Sequence, residues 1–180
     1  MKTIVIAFVL CFAGSAYAQL DVGALKDKAA KTAEKKATEE GEKKANEAVV
    51  NKVNAKLLSE GRKNQCSFKS GTDELAPGCD GKMKKLATQL IDAHNALEKG
   101  NVRNFKFVVY GHTDSVGKAE DNKALSKKRA AVIQKELIAK GVNKDEIESV
   151  GMGAEKLLVS PDNTEAKRAK NRRYEIQVKI

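Results

Sequence analysis

The sequence predicts an α/β fold of the α+β sandwich kind: a small mixed sheet with helices packed on it, preceded by one long charged helix. Three observations predict it. Short apolar runs such as Phe107-Val-Val-Tyr110 alternate with long stretches of helical period. The last residues set Tyr174, Ile176, Val178 and Ile180 on one face and Glu175, Gln177 and Lys179 on the other, the pattern of a half-buried strand. Residues 19–65 are rich in Lys, Glu and Ala and hold neither proline nor an aromatic residue, which is the composition of a helix.

Residues 1–18 read as a secretory signal peptide. Lys2 is a short basic head, Ile4 to Ala13 is an apolar run too short to span a bilayer, and Ala16-Tyr-Ala18 before Gln19 is a small-x-small cleavage site. The expected location is therefore the periplasm or cell envelope, in association with the outer membrane as one form of it. A lipid on Cys11 would need a small residue before it, and Leu10 stands there. The chain carries 34 Lys+Arg against 24 Asp+Glu, a net charge of +10. Such a balance favours anionic partners, whether nucleic acid, acidic polymers or membrane surfaces. Export disfavours nucleic acid among them. Of three cysteines, Cys11 leaves with the signal, and Cys66 and Cys79 remain in an oxidising compartment. A disulfide between them is expected; it would close a loop of about 13 residues and contribute roughly 3 kcal/mol.

Residues 19–63 form the first region after the signal. Small or apolar residues recur every fourth position: Leu25, Ala29, Ala33, Ala37, Gly41, Ala45, Val49, Val53 and Leu57. Each step of four overshoots a helical turn by about 40°, so the stripe drifts round the helix and is not a heptad seam. The first half offers mainly alanine, whereas Ala48 to Leu58 is greasier, and Gly41 near the divide marks a bend or break. Two readings stand: a solvated helical spacer, or a surface over residues 20–60 that pairs with itself, with a partner or with a membrane. Gly61-Arg-Lys-Asn64 is the expected boundary, leaving residues 64–180 as the folded domain.

In that domain Cys66-Ser-Phe68 is a short strand, followed by a loop to Gly78. A helix from about Gly81 to Lys99 turns Met83, Leu86, Ala87, Leu90, Ile91, His94 and Leu97 inward and stops at Gly100. Phe105 to Tyr110 is the second strand, and a second long helix ends near Lys140 before Gly141. Asn143-Lys-Asp-Glu146 caps one short turn, Ser149 to Met152 is a third strand, and Asn163 caps a short helix to Lys170. The terminal strand closes the order strand, helix, strand, helix, strand, short helix, strand.

The chemistry centres on the second strand's end. Gly111-His-Thr-Asp-Ser-Val-Gly117 puts a carboxylate, Asp114, near the head of the following helix. Asn122, Ser126, Arg129 and Ile133 share one face of that helix, so Arg129 points from a largely core-directed stripe. An anion and a cation held apart on rigid elements suit a ligand with both an amine and a carboxylate. A plain internal salt bridge is the alternative. The two histidines, His94 and His112, are too far apart in sequence to suggest a metal site, and no metal or cofactor is expected. His94 reads as a core-edge residue; His112 is placed to tune ligand binding. No clustered nucleophile and base points to catalysis, so an enzyme is not expected.

Taken together, these motifs resemble the OmpA-like peptidoglycan-binding domain family. The matching residues are Gly111-His-Thr-Asp-x-x-Gly117, Asn122-x-x-Leu-Ser-x-x-Arg-Ala130, Gly141-Val142, Gly151-Met-Gly153, and Asn163-Thr-Glu165 with Arg168-Ala169 and Asn171-Arg-Arg173, over roughly Cys66 to Ile180. The resemblance implies non-covalent, non-catalytic binding of peptidoglycan through the diaminopimelate of its stem peptide. It implies that Asp114 and Arg129, 15 residues apart as in the family, grip that residue, with Thr113 beside them, Leu125 as an apolar contact and Asn122 bracing the loop. Asn171 and the arginines after it are implied to brace the fold. Many relatives carry an aromatic-acidic pair in the first loop, where this chain is read to have Ser70 and Gly71. The second function class kept open is an envelope assembly protein, in which the N-terminal helix joins copies or a partner and the domain only localises it.

Overall fold

The structure, a computed structural model, describes residues 22–69 and 71–180. Side chains are described from Ala30 onward. The signal-peptide reading of residues 1–18, with Cys11, and the reading of Ser70 fall outside the described residues. The chain divides between Gly41 and Glu42 into two units, each taken by itself.

Helix α1 is assigned over Val22–Lys63, so helical structure continues through Gly41. In the first unit, residues 30–41 are exposed on every side of the helix, as alanine and lysine alone would dictate. The second unit begins at Glu42, inside the stretch read from composition as the charged helix. The reason is the greasier half of α1: Val50, Val53 and Leu57 lie in the core at 7%, 8% and 3% exposure. Among the described residues no helix is long and apolar enough to cross a membrane.

The second unit is an α/β sandwich. After α1 come α2 (Asp80–Lys99), β1 (Lys106–His112), α3 (Ala119–Ala139), β2 (Ile147–Gly153), α4 (Glu165–Asn171) and β3 (Tyr174–Lys179). The sheet order is β2-β1-β3, with β1 parallel to β2 and antiparallel to β3. The expected strand at Cys66–Phe68 is reduced to one antiparallel bridge between Phe68 and Leu75, so the sheet has three strands rather than four. Its backbone groups turn back on their own loop, Lys69 donating to Glu74 and Ala76 to Ser67 at 2.9 Å each. β1 runs two residues beyond the expected end, through Gly111 and His112.

Met83, Leu86, Leu90 and Leu97 of α2 and Ile133 and Leu137 of α3 are buried against Phe107 and Val109 of β1 and Tyr174, Ile176 and Val178 of β3. Ile91, expected inside, is 40% exposed; Ala93 takes the inner position instead. His94 sits at the rim as expected, its Nδ1 2.8 Å from a Glu146 carboxylate oxygen. Two glycines let α3 lie against the strand ends. A Cβ at Gly111 would stand 2.2 Å from the Ser126 carbonyl oxygen, and one at Gly151 2.5 Å from the Lys127 nitrogen. This close approach fixes the start of α3 over the carboxyl ends of β1 and β2.

Candidate functional site

The loop after β1 is held from both sides. Gly117 takes φ +97°, a backbone that side-chain-bearing residues rarely adopt. Asn122 Nδ2 donates to the Val116 carbonyl at 2.9 Å and so ties the loop to the start of α3. From the other side Asp162 accepts the Ser115 N–H at 3.0 Å and the Ser115 hydroxyl, and Asn171 Nδ2 at 2.9 Å. Hydrogen bonds from the Ser115 hydroxyl, its N–H and Asn171 pull the Asp162 carboxyl down to about 2. Asn171 is fully buried and also takes the N–H groups of Leu158 and Val159, so it braces the fold. Ser126 ties α3 to β2: its hydroxyl donates to the Lys123 carbonyl and accepts the Gly153 N–H at 2.8 Å.

On this frame an open cleft of about 590 Å³ forms, and its walls include Thr113, Asp114, Asn122, Leu125 and Arg129, all five residues singled out in the sequence. Asp114 and Arg129 face the same cleft but are not paired with each other. Asp114 Oδ1 accepts the Val116 N–H at 3.2 Å, and Oδ2 accepts Arg172 Nη1 at 2.8 Å. Arg172 also pairs with Glu165. The Arg129 Nε–H donates to the Thr72 carbonyl at 2.9 Å, and the guanidinium stacks over the Phe68 ring at 5.0 Å. Arg129 is only 6% exposed and has no carboxylate within ion-pair distance among the described residues. Burial, then the neighbouring Arg172 charge, lower its pKa, against the pull of Asp114 and Asp73. A guanidinium held this way leaves its terminal N–H groups available for an anion entering the cleft. The internal salt-bridge alternative does not describe this geometry.

Three expectations change. The first loop does supply an aromatic wall: the Phe68 ring lies against the Arg129 guanidinium, Gly71 joins the lining, and the Asp73 carboxylate acts on Arg129 through its charge. Arg172, assigned to bracing, lines the cleft and engages Asp114. The signal was its place in Asn171-Arg-Arg173, which names both arginines without saying which one turns to the site. His112 does not line the cleft. It is 3% exposed, both ring nitrogens lack a hydrogen-bond partner among the described residues, and burial together with Arg173 pushes its imidazole down to about 4. Thr113 lies at the cleft floor, 2% exposed, with its hydroxyl likewise unpartnered.

Cys66 and Cys79 are buried next to one another as free thiols, the Cys66 Sγ 3.7 Å from the Cys79 carbonyl oxygen. Burial and the neighbouring thiol push Cys66 up to about 12. Among the described residues no three His, Cys, Asp or Glu side chains gather as a metal site.

Residues 67–172, more than half of the chain, match the OmpA family, and the chain belongs to it. It is 35% identical over 95 residues to a peptidoglycan-associated lipoprotein of Pseudomonas aeruginosa, covering 53% of this chain and 55% of that one. It is 40% identical over 73 residues to a peptidoglycan-binding protein, ArfA, of Mycobacterium bovis, covering 41% and 22%. The chain thus spans about half the length, or less, of the curated relatives it matches. In structure it is similar to the peptidoglycan-associated lipoprotein of Burkholderia pseudomallei, with TM-score 0.53, 24% identity, and 64% of this chain and 89% of that one covered. It is also similar to the C-terminal domain of Helicobacter pylori MotB, with TM-score 0.52, 22% identity, and 64% and 84% covered. These two likenesses establish the fold.

Proposed function

We propose that this OmpA-family chain is a non-catalytic module that binds peptidoglycan through the diaminopimelate of its stem peptide, and so helps organise the cell envelope. The observation that carries the reading is Arg129: a desolvated guanidinium with no carboxylate partner among the described residues, facing the same cleft as Asp114. The side chain of diaminopimelate ends in an ammonium and a carboxylate on one carbon. Arg129 forks onto the carboxylate, and Asp114, whose two oxygens offer about four acceptor positions and use two, takes the ammonium. Each charge-assisted bond is worth roughly 1.5–3 kcal/mol net. Leu125 packs on the methylene chain, Thr113 offers its unpartnered hydroxyl, and Asn122 keeps the Asp114 loop in shape. The relatives in Pseudomonas and Mycobacterium, one peptidoglycan-associated and one peptidoglycan-binding by name, support the same ligand class.

In this reading residues 1–18 direct the chain to the periplasm or the outer-membrane side of the envelope, where the oxidising compartment converts the adjacent free thiols of Cys66 and Cys79 into a bridge that stiffens the loop carrying Phe68 and Thr72. Sedimentation with purified sacculi tests the assignment. The wild-type chain co-sediments, with retention that weakens as salt rises; Asp114→Ala and Arg129→Ala stay in the supernatant. Equal sedimentation of both variants refutes the site.

A second reading gives α1 the leading role. Its residues 30–45 are exposed throughout, which suits a helix that meets a copy of itself or an envelope partner while the wall localises it. Analytical ultracentrifugation with and without residues 19–41 separates the two: a monomer in both cases removes self-association.

A further inference from the structure

The outer edge of β3 is half covered. In an antiparallel ladder alternate residues turn their N–H and C=O groups toward the neighbour and away from it. The Arg173 carbonyl accepts the His112 N–H at 2.9 Å, so Tyr174, Ile176 and Val178 face away from β1. Two of these three are taken by side-chain amides. Asn54 of α1 accepts the Val178 N–H at 2.6 Å and donates to its carbonyl at 3.2 Å. Gln65, just past α1, does the same for Tyr174 at 3.3 and 2.8 Å. Ile176 lies between them, and no described residue has a side chain bonded to its outward groups. There the surface opens into a second pocket of about 240 Å³, walled by Leu57, Leu58, Gly61 and Leu158. It shares Ser67, Ala169 and Arg172 with the cleft, so the two adjoin across the Arg172 side chain.

We propose that this pocket is a second subsite for the same peptide. It takes a small apolar residue adjoining the one held in the cleft, while the peptide main chain bonds to Ile176 along the free stretch of β3. The occupant is specified by continuity: one apolar chamber, one strand-edge position and one zwitterion cleft meet at a single arginine. This inference rests on the reading of the cleft as a diaminopimelate site.

Gly61→Leu tests it on the full chain. Gly61 lines the pocket and a Cβ built on it meets nothing within 4 Å, so the position accepts a side chain at the pocket wall. Replacing glycine inside a helix also favours the fold. The probes are free diaminopimelate and two extended forms, one with two alanines on its main-chain carboxyl and one with an alanine on its main-chain amine, measured by titration calorimetry. The wild type is expected to bind one extended form about tenfold tighter than the free amino acid, the scale of a filled apolar subsite. Gly61→Leu loses that gain and binds free diaminopimelate unchanged. Extended forms that bind no tighter than the free one overturn the proposal, as does a variant that keeps the gain or weakens all probes alike. Failure of every probe, the free amino acid included, to bind the wild type refutes the cleft reading itself, a result distinct from these.

Discussion

The two halves of α1 have nearly the same helix-forming composition and different fates. At Ala33, Ala37 and Ala45 the four-residue stripe is exposed; at Val53 and Leu57 the same stripe is buried. Helix formation follows from backbone propensity, which alanine, lysine and glutamate supply in either half. Burial follows from side-chain size, since a methyl group removes too little apolar surface from water to hold a helix against a sheet. The second half adds a device of its own. Asn54 spends its amide on the backbone of β3, so this part of the helix covers a strand edge that would otherwise be open.

The contrast can be broken or sharpened by substitution, and the largest effect belongs to the packed unit. Gly111→Ala places a Cβ 2.2 Å from the Ser126 carbonyl oxygen and must lift α3 from the sheet. A loss above about 4 kcal/mol is expected in urea unfolding. Asn54→Ala leaves both Val178 backbone groups without their partner; a loss of about 1–3 kcal/mol should appear in the same assay. A loss no larger than that of a surface substitution would mean that the edge cover is ornamental.

Acid should act on the packed unit in two separate windows. His112 titrates at about 4 when folded and at 6.5 when free, so the unfolded chain binds the extra proton between these values. Stability is therefore expected to be greatest above about pH 6.5 and to fall as pH drops toward 4, and His112→Leu should flatten that slope. Asp162, about 2 when folded against 3.8, contributes above about pH 4, and that contribution fades as pH falls toward 2. The smallest effect lies in the exposed half. Gly41→Ala meets nothing within 4 Å and should raise helicity in circular dichroism by up to about 1 kcal/mol of helix stability, with the urea midpoint of the packed unit unmoved.

Much of the site was legible because its first wall is local. Asp114, Asn122, Leu125 and Arg129 come from one loop and the helix behind it, so spacing along the chain already sets their faces. The opposite wall is not local. Phe68 and Thr72 reach Arg129 from more than fifty positions away, and Arg172 reaches Asp114 across a separation of 58. No period in the sequence encodes these meetings. Counting along the first loop read Ser70 and Gly71 where relatives carry an aromatic-acidic pair and passed over Phe68, which a bridge to Leu75 holds in the folded-back loop beside Arg129.

By itself the sequence determined the helices, the strand at Phe107–Tyr110, the alternating final strand and the residues on the near side of the cleft. These depend on propensity and periodicity, which act between neighbours in the chain. The tertiary structure alone decided where the packed unit begins, that Asp114 turns to Arg172 and not to Arg129, and that an amide of α1 covers β3. Those outcomes depend on which groups lose water together, and that is settled only when distant segments pack.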